Sequence, residues 1–205
     1  MANVFSPWGF RVVKRYDGAS WNANLHSRLI ASANSHTFNY GDPVIQLSTG
    51  YIDCVAKASE PTQGVFGIFV GCELQGTKGI GTPWQLSYSG TTTGQDTVAY
   101  VITDPWVVMQ VWVGTCASSA AGGPAVLADI GKSIDYELGT GSATGISGAY
   151  VDYATISTST ATQPFIITGL VQNPPGVNGT DITTAGNIVE VVFNQSAFKV
   201  GVTPV

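Results

Sequence analysis

Asp135 and Glu137 stand two residues apart within Ser133 to Leu138, a run of strand-forming residues, so both carboxylates are expected on one face. Carboxylates placed in this way serve calcium binding or acid/base work, and either needs convergent partners such as Asp129 or Asp152. Nothing in the spacing brings those partners in, and a solvated strand face is the expectation. Three thiols, Cys54, Cys72 and Cys116, have only His26 and His36 to serve as a base, with no local signature of a cysteine nucleophile. Their odd number and wide spacing fit neither a disulfide framework nor a zinc site, so buried thiols are expected. The two histidines lie ten residues apart in an Asn/Ser-rich segment and read as polar loop residues, not as metal ligands or a pH switch.

Gly145-Ile146-Ser147-Gly148 approaches the Gly-x-Ser-x-Gly turn of a serine hydrolase without its spacing. Gly139, Gly141 and Gly145 suggest a phosphate loop, but no helix follows to receive a phosphate. Residues 139–148 therefore read as an exposed loop. No catalytic residue, cofactor or metal site is expected, and the chain is read as not an enzyme. Five tryptophans and eight tyrosines serve core or interface packing first. Trp84, Tyr88 and Trp106, near presumed loops, keep sugar binding open as a second class of function.

The elements that would position these groups are strands. Runs rich in Val, Ile, Phe and Tyr recur at Pro43 to Leu47, Tyr51 to Ala56, Val65 to Leu74, Val98 to Thr103 and Val107 to Val113. They continue at Ser133 to Leu138, Ala149 to Ile156, Pro164 to Val171 and Ile188 to Phe193. About nine strands without long amphipathic helices predict an all-β, jelly-roll or barrel-like sandwich in a single domain over 1–205. Val107 to Val113 is apolar at nearly every position, so both of its faces are expected to be covered by a second layer, a long loop or a neighbouring subunit. One short helix is expected at Pro124 to Ile130, closed by Gly131. Long Gly/Ser/Thr loops are expected at Ser89 to Gly94, Thr115 to Gly123, Gly139 to Gly148 and Ser157 to Thr162.

Only 10% of the residues are charged, against roughly 25% in soluble domains, so part of the apolar surface is expected to meet a partner. The net charge of −5 is polarised: residues 1–41 hold Arg11, Lys14, Arg15 and Arg28 against Asp17 alone, leaving the rest strongly acidic. The basic, aromatic start, within residues 1–20, reads as an extended N-terminal docking arm that the β-fold does not need, or else as a first strand with a solvated edge. An acidic body without a basic stripe argues against nucleic acid. The start lacks the pattern of an export signal and no apolar run reaches 18 residues, so cytoplasmic synthesis and no membrane partner are expected.

An ordered series of short features runs through the chain: Gly9-Phe10-Arg11-Val12, Asp17-Gly18, Tyr40-Gly41-Asp42-Pro43-Val44, Gly50-Tyr51-Ile52-Asp53 and Gly64-Val65-Phe66 leading to Gly71-Cys72-Glu73. It continues through Asp104-Pro105, Asp129-Ile130-Gly131, Ser147-Gly148, Phe165 to Leu170 and a last strand Ile188 to Asn194. In that order, over nearly the whole length, the series resembles the cement, or head decoration, proteins of tailed bacteriophages. The resemblance implies a homo-oligomer, dimer or trimer, that binds the outside of the major capsid protein shell in the virion and clamps neighbouring capsomers. It transfers no catalytic motif. Trp8, Phe10, Arg11, Lys14 and Arg15 are then the expected capsid contacts. The competing expectation is a phage surface or fibre module that binds host carbohydrate.

Overall fold

The structure, a computed structural model, describes residues 3–22, 24–54, 64–73, 84–90, 95–115, 123–158, 163–172 and 179–194. Its strands in chain order are β1 (Arg11–Arg15), β2 (His26–Ile30), β3 (Phe38–Asn39), β4 (Pro43–Gln46), β5 (Ile52–Asp53), β6 (Gly67–Glu73) and β7 (Trp84–Gln85). The second half adds β8 (Ser87–Tyr88), β9 (Thr97–Ile102), β10 (Val107–Gly114), β11 (Ser133–Glu137), β12 (Tyr150–Ser157), β13 (Phe165–Leu170) and β14 (Ile188–Phe193). The fold is all-β, and each of the nine expected runs contains a strand. The N-terminal segment, β2 and three two-residue strands are the additions.

Pairing runs β10–β12–β11–β13–β14 and returns to β10, which closes a ring with β1 added on β10. Met109 and Gln110 pair with β1 on one side and with β14 on the other. A second sheet has the order β2-β9-β6-β4-β5, with β7 on β6, and β3 and β8 form a separate pair. Inward residues of the ring, among them Val107, Met109, Val111, Val113, Ile134, Tyr136, Val189 and Val191, form the main core. Val65, Ile68 and Ile102 from the second-sheet region pack into it. Phe69, Cys72, Ala99 and Val101 instead join Phe38 and Tyr88 in a second core. The second sheet therefore contributes to two cores, which is why β6 and β9 read as almost unbroken apolar runs.

The second face of β10 is covered from within the chain. Trp112 is 1% exposed and packs with Tyr150 and Ile188 beneath Phe5 and Trp8. Phe5 and Trp8 meet the Trp112 ring edge-on at 6.0 and 5.1 Å. The residues before β1 are thus a cover for the ring and not a detached arm. Asn3 fastens them further: its amide donates to the Asp181 and Thr184 carbonyls and accepts from the Gly179 and Asp181 N–H groups.

Two other expectations change. Pro124 to Ile130 forms only a 3-10 turn, Leu127–Asp129, because Asp129 accepts the Val126 N–H and holds the chain in one tight turn. Residues 139–148 are tethered: Tyr40 N–H donates to the Gly145 carbonyl, Ser147 N–H donates to the Tyr40 carbonyl, and Ser147 is buried. A Cβ on Gly139 would stand 2.1 Å from the Gly148 carbonyl oxygen, so glycine there permits close approach of two backbones and does not signal a loose loop. The expected loop Thr115 to Gly123 lies largely outside the described residues, as do the ends of Ser89 to Gly94 and Ser157 to Thr162. Among the described residues no helix is long and apolar enough to cross a membrane.

Candidate interaction surface

Strand β1 disperses the five expected contact residues. Val12 stands opposite Met109 and packs on the main core, while Arg11 stands opposite Gln110 on the other face. A bulge between Val12 and Lys14 shifts the register, so Lys14 falls opposite Val108. Gln110 and Val108 are two apart on β10 and share a face, which puts Arg11 and Lys14 together on the outside of the ring. The Lys14 ammonium lies 2.8 Å from the carboxylate of Glu190, itself paired with Gln110. The Arg11 guanidinium lies 4.8 Å above the Trp8 ring. Trp8, Arg11 and Lys14 thus form one continuous outer surface.

The other two nominated residues are engaged elsewhere. Phe10 is 2% exposed and stacks on Phe165 at 4.5 Å, so its ring belongs to the protein's own core and is not available to a partner. Arg15 turns to Asp17 and Asp104. Its hydrogen bond to Asp17 raises the guanidinium pKa and lowers that of the Asp17 carboxyl. Asp17 also accepts the Ala19 N–H, and Gly18 adopts a positive φ, which together end β1.

A second exposed feature was not anticipated. Val126, Leu127 and Ile130, around the 3-10 turn, are 44%, 64% and 43% exposed. The turn is held rigidly from below. The fully buried amide of Asn187 donates to the Ala125 carbonyl at 2.9 Å and accepts the Ala125 N–H at 3.1 Å. Asp129 accepts from Val126 N–H and from Lys132. Burial opposes ionisation of Asp129, but these two donors outweigh it and hold its pKa below the usual carboxylate value. The sequence signal for this feature was an Ala-Val-Leu run, which helix-forming residues and an exposed turn share.

The groups considered for chemistry are distributed as follows. Asp135 and Glu137 do share one face of β11, since Ile134 and Tyr136 fill the core between them, but that face is not solvated as expected: Asp135 is buried. Asp152 stands directly across from Asp135, whereas Asp129 is spent on its own turn. Asp135 and Asp152 each accept a nearby backbone N–H, from Tyr136 and Ala154. Cys54 and Cys72 are buried free thiols, and Cys116 lies outside the described residues. His36 bonds Asp53 at 2.8 Å, next to Cys54 in the chain. Burial, with Asp42 and Asp53 nearby, raises the Cys54 pKa well above the usual thiol value, and burial pushes that of Cys72 up to about 11. Neutral buried thiols are poor nucleophiles.

Asp42 is buried, accepting the Ser147 hydroxyl on one oxygen and the Asn39 N–H on the other. Burial raises its pKa despite these donors. The bond to Ser147 fixes residues 139–148 onto the second sheet, which identifies Ser147 as a structural hydroxyl. Tyr88 is 1% exposed in the second core and offers no face to a ligand, whereas Trp84, which leans on Tyr100, and Trp106 are both exposed. Among the described residues no group of three or more His, Cys, Asp or Glu side chains is arranged to hold a metal ion. Comparison with protein-family models, characterised proteins and solved structures finds no match, so the geometry stands on its own.

Proposed function

We propose that this chain is a structural virion protein that binds the outside of a tailed-bacteriophage head and stabilises contacts between neighbouring capsomers. The observation that supports the reading is a group of basic and aromatic side chains held on the outside of a closed β framework. Trp8, Arg11 and Lys14 stand together on the outer face of the ring. The rigid turn at Leu127 adds an aliphatic anchor of the kind that loses little entropy on binding. The resemblance of the ordered sequence features to cement proteins favours the same reading, and the scarcity of charge suits a protein whose apolar surface is partly covered.

Such a protein needs no reactive group. Each contact can be modest, because shell symmetry repeats it and oligomerisation as a dimer or trimer joins several contacts. The test is to mix the purified chain with undecorated heads assembled from the major capsid protein of the same genome and pellet the shells. Co-sedimentation with mature heads, saturating at a fixed ratio to capsid protein, is the expected result. Absence of the chain from the pellet at every concentration contradicts it.

A further inference from the structure

We propose that the pocket beside the Asp104-Pro105 turn binds a neutral pyranose sugar. It is a cavity of about 380 Å³ between the end of β1, the segment leading into β2 and the turn before β10. That volume lies within the roughly 300–1,000 Å³ range of small-molecule sites. Its lining is chemically mixed. Trp21 and Pro105 are apolar, and Asn22, Asn24, His26 and Asp104 are polar.

That mixture suits a ring that presents C–H groups on one face and hydroxyls around its rim. An indole takes the C–H face, and amide side chains both donate to and accept from hydroxyls. Part of the lining is already held in place, while Asn22 and Asn24 are exposed. His26 contacts the buried Thr103 hydroxyl, Asp104 accepts the Trp106 N–H, and Trp21 packs on the main core. A site held by its own packing loses little on binding.

Charge selects the class of sugar. The full cation lining the pocket among the described residues, Arg15, is bound by both Asp17 and Asp104. Two carboxylates against one guanidinium leave the surroundings without a surplus positive charge, which disfavours phosphates, sulfates and sugar acids. A neutral pyranose fits, and an anionic one does not.

The site is separate from the Trp8, Arg11 and Lys14 surface, so its failure would leave the shell reading standing and the converse also holds. The experiment is a titration of the full chain, labelled with ¹⁵N, with methyl glycosides of neutral hexoses and, in parallel, glucuronic acid. Saturable shifts of the Trp21 indole and the Asn22 and Asn24 amide signals at millimolar neutral sugar are expected, with no saturation by the acid. Asn24→Ala and Asn22→Ala should each weaken binding about tenfold while the remaining spectrum stays that of the folded chain. Trp84→Ala, away from the pocket, should leave binding unchanged. Absence of saturable shifts with any neutral sugar, preference for the acid, or binding unaffected by both asparagine variants would overturn the proposal.

Discussion

Arg11 and Lys14 are three residues apart on β1 yet share its outer face, because the bulge between Val12 and Lys14 adds the half-step that returns Lys14 to the side of Arg11. In a regular strand one of them would point into the core. The bulge also ends in a cross-strand bond, Lys14 to Glu190, between residues 176 positions apart. The basic surface is therefore a product of register.

The segment before β1 covers the outer face of β10. Removing residues 1–8 takes Phe5 and Trp8 off Trp112 and releases the Asn3 bonds to residues 179–184. Loss of large buried aromatic contacts costs about 3–5 kcal/mol in other cores, and a cost of about 2–4 kcal/mol is expected here. Urea denaturation followed by tryptophan fluorescence should show a lower midpoint and a red-shifted native spectrum. An unchanged midpoint would mean that the segment is a free arm after all.

Asn187 should be the keystone of the exposed turn. Asn187→Ala leaves both backbone groups of Ala125 without their partner in a buried site, at a cost of about 1–3 kcal/mol. Hydrogen exchange at residues 125–130 should accelerate more than exchange in β10. Uniform acceleration across the ring would show that the amide supports the whole fold and not the turn.

Leu127 separates contact from stability. At 64% exposure, Leu127→Asp should leave the melting temperature within about 2 °C, since surface substitutions usually change stability by under 0.5 kcal/mol. Under the shell-binding reading it should weaken co-sedimentation with heads at least about tenfold. Equal binding by the variant would remove the turn from the contact surface.

The pH dependence carries opposite signs from two carboxyls. Burial raises the Asp42 pKa, so the folded protein holds that proton to higher pH than the unfolded chain. The Asp42 contribution is complete below the ordinary carboxylate value of about 4 and is lost as pH rises through the raised folded value. Asp129 is lowered, so its contribution is present above the ordinary value and is lost as pH falls through the folded one. Asp42→Asn should therefore remove a component of stability that grows on acidification toward pH 4, measured by urea melts from pH 7 downward. The same pH slope in the folded variant would contradict the assignment.

Much of the framework was legible because burial on both faces leaves a local trace. Val107 to Val113, Phe165 to Leu170 and Ile188 to Phe193 are dense in β-branched and aromatic residues, and each is a strand of the ring. His26–Ile30 was not legible, since only Ile30 of that strand is fully buried and its residues alternate weakly. The outer surface of β1 was half legible. Composition marked residues 8–15 as basic and aromatic, but Phe10 enters the core and Arg15 turns to Asp104 through contacts that no local spacing encodes. Ser147 and Asp42, 105 positions apart, show the same limit: sequence alone presented the serine as a loop residue near a hydrolase-like pattern.

The central claim is that the outer face carrying Arg11 and Lys14 binds a viral shell. Its most direct measurement is the affinity of the Arg11→Glu/Lys14→Glu double variant for undecorated mature heads, alongside the unaltered chain at the same ionic strength. Both substituted side chains are exposed, so circular dichroism should match that of the unaltered chain, while the loss of the Lys14–Glu190 pair and the new carboxylate beside Glu190 should lower stability by only about 1 kcal/mol. The account predicts a loss of affinity of at least about tenfold with the fold unchanged. Co-sedimentation of the folded double variant equal to that of the unaltered chain would contradict it.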